Sequence, residues 1–425
     1  MTLSNRTNCV DDVEEIALDA NDTVSFSQIG RINNNQIIVD NNVDLGGKKC
    51  ILPHGYQLCA KGGIIKNGIL VGDVTKIDGI GALFDKVIIK GTWNVPKVST
   101  SMFVDLNYEN SLKDVVALAN PDIKNTIIVE KGDYNVRTLK NGDACISLCS
   151  NTDFILNGTI KLAANNYRHY NIIQAQGHHI RISGSGTVIG DKFSHTEMTG
   201  EWGMGVRFHK AINSSVKGIR IKECWGDCIY VGGNSKNITI DKCILDNGRR
   251  QGISVTKANG IIIHNCRIMN VCGANPQYAI DVEPNIGDTV DNVLIDNVLI
   301  KDCEGGIKAT KSLEKKDGKS VSMIGRVTIK NCQIAANSKF QILLKGCNVA
   351  LVENNIITES NSRSAIYAIE GREVEISNNT IQHNNNVVYA AKNVLKKMKG
   401  RKDITPIYLK NILNQKVTNN IFVTQ

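Results

Sequence analysis

The sequence predicts an all-β chain wound as a right-handed, single-stranded parallel β-helix, and three observations carry that expectation. Short runs of alternating apolar and polar residues recur along most of the 425 residues, separated by Gly- and Asn-containing turns. Aromatic residues are only 5% and prolines only 6, against 37 glycines, which suits many short strands and turns better than helices. The runs also fall into phase. Ile229 and Val231, Ile253 and Val255, and Ile280 and Val282 begin 24 and 27 residues apart. Units of that length bury their apolar face only by stacking on their neighbours. A β-propeller would need blades near 40 residues and usually more aromatic side chains.

Taken in order, residues 1–35 are polar and Asn-rich and read as a flexible or partner-bound leader. A Gly-rich β head follows over 36–108, where LGGKKCILPHG, LCAKGGIIKNGILVG and KVIIKGTWNVP alternate short apolar stretches with Gly turns. The β-helix is expected over 109–425. It opens on a capping helix: Ser111 and Asp114 resemble a capping box, VVALAN continues it, and Pro121 stops it. Such a helix covers strand edges and an apolar interior that would otherwise face water. TIIVEKGDYNV (Thr126–Val136) reads as strand, turn and strand.

From about Ala144 the repeat takes over. One inward column runs Val206, Ile229, Ile253, Ile280, Ile307, Ile342, Ile366, and a second runs Phe208, Val231, Val255, Val282, Ala309, Leu344, Ala368. The second strand of each unit carries a signature such as ITIDKC or VEISNN. Its sixth position is read as Cys224, Cys243, Cys266, Asn297, Cys332, Asn355 and Asn379, with Asn420 in phase. Stacked turn amides can bond from coil to coil, and Cys is a small apolar substitute in the same slot. After Tyr389, AAKNVLKKMKGRKD reads as a short helix with Val394, Leu395 and Met398 on its apolar face, an interruption or end cover.

Composition also excludes. The net charge of +9 is moderate and partly gathered in Lys392–Lys402; no basic patch interleaved with aromatics points to nucleic acid. No apolar run is long enough for membrane insertion, and the acidic start MTLSNRTNCVDDVEEIALD is not a signal peptide. The 13 cysteines lack any CxxC and several recur at one phase. They read as buried thiols of a protein folded in a reducing cytosol.

Side chains alternate across a strand. If the first apolar column points inward, the next residue of each unit points outward: Arg207, Tyr230, Ser254, Asp281, Lys308. Three residues beyond the inward column stand His209, Gly232, Thr256, Glu283 and Thr310. With coils about 4.8 Å apart, one exposed strip carries two carboxylates among cations, hydroxyls and an aromatic. The Cα atoms of Asp281 and Glu283 are expected about 6.8 Å apart on one face, a spacing from which the carboxyls splay or converge. Glycoside hydrolysis uses two such groups, one to protonate the leaving oxygen and one to activate water or attack. Paired carboxylates also bind cations, and a solvated acidic surface looks the same from sequence. Pro284 ends the strand and aims Glu283 at the rim of the strip. Arg249 and Arg250 precede the middle strand, where they can pair with the carboxylates or clamp an acidic sugar. FSHTEMTGEWG (Phe193–Gly203) enters beside the strip with His195, Glu197, Glu201 and Trp202, whose ring stacks on a sugar or wedges into the core. TKSLEKKDGKSVS (Thr310–Ser322) enters on the far side.

GSGTVIGD (Gly184–Asp191), GDCIYVGG, QGISVT and AIDVEP resemble successive coils of pectin-lyase-like β-helices, polygalacturonases in particular, over Thr126 to Lys311. The resemblance implies catalysis on a glycan, and Asp227 matches the second of two adjacent family aspartates. The first is Gly226 here, the family's Gly-His-Gly is Arg250-Gln251-Gly252, and its Arg-Ile-Lys is Asp281-Val282-Glu283. That exchange inverts the local charge, so polygalacturonase activity is not expected. Asp227 remains either a general acid, partnered by Asp281 or Glu283, or a bonder of turn amides. An arginine beside metal-bound carboxylates is also similar to pectate lyases, which makes a calcium-assisted lyase the enzymatic alternative; otherwise no cofactor is expected.

LGGKKCILPHG with GGIIKNGILVG resembles the attachment part of tail-spike and tail-fibre proteins from phages of gut Bacteroidales. This implies a homotrimer in the virion tail, held to other tail proteins by its N-terminal region, that binds a bacterial surface polysaccharide with or without depolymerising it. A bacterial carbohydrate-active enzyme and a purely structural tail or adhesin component are the competing expectations.

Overall fold

The computed structural model describes residues 22–79, 81–106, 111–311, 322–358, 364–383 and 406–424. From Lys97 onward the chain coils as a parallel β-helix with three faces. The face that carries the outward strip runs through Ala144–Leu148, Asp227–Gly232, Gln251–Val255, Tyr278–Val282, Gly305–Thr310, Ile342–Lys345, Ile366–Ile369 and Ile407–Lys410. Between the first and second of these, His169–His178 and Trp202–Lys217 each run on round the corner into the second face. The third face is a parallel sheet that runs from Asp133–Val136 to Ile421–Thr424.

Register follows the apolar columns. Val206 pairs with Ile229, then Ile253, Ile280, Ile307, Ile342 and Ile366 in turn. Every residue of that column is fully buried. A slip of one residue would turn a whole column outward, so burial fixes the pairing. Each buried Ile contributes about 1.5–3 kcal/mol of apolar transfer.

The turn signature is two columns, not one. Asn265, Asn297, Asn331, Asn354, Asn378 and Asn419 all have φ between 53° and 57°. Asn tolerates that left-handed conformation better than most residues. The residue after each of these turns inward. That slot holds Cys266, Cys332, Asn355, Asn379 and Asn420, with Val298 rather than Asn297 filling it in its coil, and Cys243 fills it after Lys242, at φ 55°. Cys224 also leaves the expected column. It follows Glu223, at φ 57°, after the third face, and shares that turn with Cys303, which follows Asp302. IRIKEC and ITIDKC look alike because both turns need a left-handed residue followed by a small buried one.

The asparagines form a ladder. Asn355 Oδ1 accepts the Cys332 N–H at 2.9 Å, Asn379 Oδ1 that of Asn355 at 3.0 Å, and Asn420 Oδ1 that of Asn379 at 3.0 Å. Their amides donate to the carbonyls of Ile329, Val352 and Ile376.

The head also stacks parallel strands, with Ile65–Asp78 pairing with Phe84–Trp93 and Lys49–Ile51. Of the expected leader, 22–35 joins the head: Thr23–Val24 pairs with Lys49–Ile51, and Arg31–Asn33 forms a hairpin with Gln36–Val39. The helix Ser111–Ala117 packs between Phe84–Trp93 and Ala144–Leu148 with Leu112 and Val115 buried. Ser111 and Asp114 lie inside that helix. Ser111 Oγ donates to the Leu106 carbonyl at 2.8 Å, and Asp114 Oδ1 accepts the Ile89 N–H at 3.0 Å. Most of the basic insertion, and the expected helix with Val394, Leu395 and Met398, lie outside the described residues.

Candidate active site

Five strands in register build the outward face: Trp202–Lys217, Asp227–Gly232, Gln251–Val255, Tyr278–Val282 and Gly305–Thr310. Arg207 pairs with Tyr230, Tyr230 with Ser254, Ser254 with Asp281 and Asp281 with Lys308, in the order the sequence predicts. The strip is less exposed than expected. Ser254, Asp281 and Asp227 each have 0% accessible surface. Above them the side chains of Glu283, Lys308 and Arg250 are 23%, 17% and 12% exposed. Longer side chains from neighbouring coils close over the shorter ones, which strand alternation alone does not reveal.

The result is a two-layer acid–cation cluster. Arg250 Nη1 reaches both Asp227 carboxylate oxygens at 3.3 and 3.2 Å, and Nη2 donates to Glu283 Oε1 at 2.9 Å. Burial alone would lower the Arg250 pKa, but Asp227 and Glu283 outweigh it and hold the guanidinium charged. Ser254 Oγ donates to Asp227 Oδ2 at 2.6 Å. Asp227 therefore bonds side chains on its neighbouring coil, in place of turn amides. Lys308 Nζ donates to Asp281 Oδ2 at 2.8 Å and lies 3.6 Å from Glu283 Oε2. Gln251, which sequence reasoning passed over, donates to Glu283 Oε1 at 2.8 Å. Its place opposite Asp227 in the strand register was the available signal. Asp281 Oδ1 and Gln251 Oε1 are buried without a hydrogen-bond partner among the described residues.

Burial sets the acidity of the lower layer. It pushes the Asp281 carboxyl up to about 8, with the charge of Glu283 adding to the rise and Lys308 opposing it. Asp227 is pushed up to about 6 by burial, against the pull of Arg250 and the Ser254 hydroxyl. Burial thus favours the protonated form of Asp281, beside a Glu283 side chain that reaches the surface.

Other expected residues divide. Arg207 Nη1 donates to Gln174 Oε1 at 3.0 Å, and Nη2 lies 3.2 Å from His209 Nδ1. The Tyr230 hydroxyl shares a hydrogen bond with Thr256 Oγ1 at 2.8 Å. Burial first, then Arg207 and Lys210, lower the His209 pKa to about 4, which keeps it neutral. Trp202 is 54% exposed and meets His169 edge-on. Arg249 does not join the carboxylates. Its guanidinium lies 3.6 Å from the Trp225 ring centroid and donates to the carbonyls of Gly200 and Trp225. Of the two arginines, Arg250 faces the strip and Arg249 turns to the Phe193–Gly203 insertion and Trp225. The His195 side chain of the insertion is buried: it stacks on Trp225 at 3.9 Å, and Nδ1 bonds Asp191 Oδ2 at 2.7 Å. This stack pins the Phe193–Gly203 insertion, while Glu201 reaches back to within 3.7 Å of Arg250 Nε.

A calcium ion does not fit this donor set. Arg250 already holds Asp227 and Glu283, Lys308 donates to Asp281, and among the described residues no three His, Cys, Asp or Glu side chains are placed to hold a metal ion.

The comparisons agree with the coil. Residues 126–285 and 317–424, more than half of the chain, match the right-handed β-helix region family. The chain belongs to that family. The A-module of mannuronan C-5 epimerase AlgE6 from Azotobacter vinelandii superposes with a TM-score of 0.52 at 12% identity, covering 75% of this chain and 96% of the module. The tailspike protein gp49 of Acinetobacter baumannii bacteriophage Fri1 gives 0.43 at 10% identity over 78% of this chain and 63% of gp49, too distant to add to the assignment. Among curated proteins, the SPbeta prophage-derived uncharacterized protein YorA of Bacillus subtilis is 25% identical over 297 residues, 61% of this chain. The match spans 47% of YorA, so this chain corresponds to about half of that relative.

Proposed function

We propose that this β-helix binds a bacterial surface polysaccharide along the outward strip and hydrolyses its glycosidic bonds at the Asp281–Glu283 cluster. The observation that carries the reading is the pair of unlike carboxyls on one strand end. Burial pushes the Asp281 carboxyl up to about 8, and the Glu283 side chain is 23% exposed between two cations. Asp281 passes its proton to the glycosidic oxygen as the bond from that oxygen to the anomeric carbon breaks. Glu283 takes a proton from the water whose oxygen bonds that carbon. Lys308 bridges both acids and must shift for substrate to reach Asp281. Asp227 and Ser254 brace Arg250 from below, and Trp202 and Tyr230 offer ring surface to the sugars.

A second reading, binding without cleavage, is favoured by the closure of the cluster: Asp227 and Asp281 have no accessible surface, and each acid already holds a cation. Incubation with purified capsular and cell-wall glycans, followed by mass analysis, separates the two. Hydrolysis releases fragments that have gained the mass of water, and Glu283→Gln or Asp281→Asn cuts release by roughly 100-fold or more. Retained release in both variants removes the catalytic assignment; glycan retention without release by the native protein supports binding alone. The prophage origin of one relative supports a phage origin for this chain, and the place proposed for it is the virion tail. There the chain is proposed as a homotrimer joined to other tail proteins through its N-terminal region, and light scattering that gives the mass of one chain would count against this.

A further inference from the structure

The cations of the strip are not equivalent. Arg250 and Lys308 each hold carboxylates. Arg207, at the N-terminal end of the same column, has no acidic partner among the described residues. Its guanidinium is turned toward two neutral groups, the Gln174 side-chain carbonyl at 3.0 Å and His209 Nδ1 at 3.2 Å, and lies 5.7 Å from the Tyr230 ring. The nearby ionisable group that bears on His209 besides Arg207 is another cation, Lys210. Burial lowers the Arg207 pKa, opposed by the Tyr230 phenol and by no carboxylate. Folding therefore keeps a half-buried positive charge uncompensated on an outward face, which is costly unless something else supplies the negative charge. A guanidinium suits planar, bidentate recognition of an oxyanion.

We propose that Arg207, oriented by Gln174 and His209, is a subsite for an anionic substituent of the bound glycan. The chemistry is that of a sugar carboxylate or a phosphate ester. Three strand steps separate Arg207 from Asp281, through Tyr230 and Ser254. At about 4.8 Å per step, the anion sits roughly 14 Å from the acid cluster along the helix axis. The Tyr230 ring, fixed by Thr256, floors the space between them. The arrangement gives the strip a direction: charge is read at one end and the glycosidic bond meets the acids at the other. This subsite rests on the polysaccharide reading above, and it makes the substrate class anionic.

The test uses the full chain and an array of uronate oligosaccharides, phosphate-bridged cell-wall glycans, and their carboxyl-reduced or dephosphorylated counterparts. The native protein is expected to favour one anionic class over its neutral counterpart by at least tenfold, which also tells carboxylate from phosphate. Arg207→Gln should remove that preference and leave weak binding of the neutral form unchanged, while Arg207→Lys retains part of it; circular dichroism checks that both variants fold. Equal binding of anionic and neutral forms by the native protein, or an unchanged preference in Arg207→Gln, overturns the subsite and leaves the polysaccharide reading standing. Binding of no glycan in either form overturns both.

Discussion

At Asp281 a lysine pulls the carboxyl toward ionisation while burial and a neighbouring glutamate push the other way, and burial wins. The consequence for stability has a definite sign. The unfolded carboxyl ionises near 3.8 and the folded one near 8. Between those values unfolding releases a proton, so the contribution of Asp281 is full below about pH 4. It is lost progressively as pH rises toward 8 and is constant beyond. Asp227 acts in the same sense over the narrower window from 3.8 to about 6. Thermal melts of the native protein and of Asp281→Asn, compared between pH 5 and 8, should show a steeper fall for the native protein. Parallel pH profiles would mean that the folded carboxyl ionises normally and has no proton to give at neutral pH. The identity and order of the strip residues were legible because the inward columns fix them. The closing of Glu283, Lys308 and Arg250 over Asp281, Ser254 and Asp227 was not, since it depends on side-chain reach between coils.

Among the elements, the turns rather than the strands carry the distinctive chemistry. A turn that leaves the second face needs one left-handed residue and one small inward residue, and Asn-Cys and Asn-Asn both meet that need. Where consecutive coils choose Asn-Asn, the inward amide links three coils. Asn379 accepts from the Asn355 N–H and Nδ2 and donates to the Val352 carbonyl and Asn420 Oδ1, all within 3.0 Å. Asn379→Ala strands these buried groups and should cost about 2–4 kcal/mol, on the scale of one to two unsatisfied polar groups. Urea unfolding followed by circular dichroism measures it, and a loss under about 0.5 kcal/mol would make the ladder incidental. The ladder was visible in the sequence as a run of NN pairs. Placing Cys224 in it confused two turns that share one local requirement, which only pairing across coils tells apart, and placing Asn297 in it took the left-handed residue for the inward one that follows.

For the whole molecule, stacking is quasi-one-dimensional, so stability depends on how many neighbours each coil has. Coils through Val206, Ile229, Ile253, Ile280 and Ile307 have neighbours on both sides and no accessible core surface. The final described coil has a described neighbour on one side. Leu413, Ile421 and Phe422 there are 71%, 59% and 56% exposed, and Val417 is 45% exposed although it continues the inward column of Ile376. The sequence showed the repeat and its columns but not this gradient, because Val417 has the same local pattern as Ile376 and differs only in what stacks beyond it. The site sits in the middle of the stack, where Asp227, Ser254 and Asp281 are held from two sides. Hydrogen exchange read by mass spectrometry should therefore rank the coils. Amides of 229–309 should exchange slowest, and those of 407–424 faster by a factor of roughly 100, a difference of about 3 kcal/mol in opening free energy. Equal protection along the chain would mean that the solenoid opens only as one cooperative unit. The acid cluster would then owe its rigidity to the molecule as a whole and not to its place between coils.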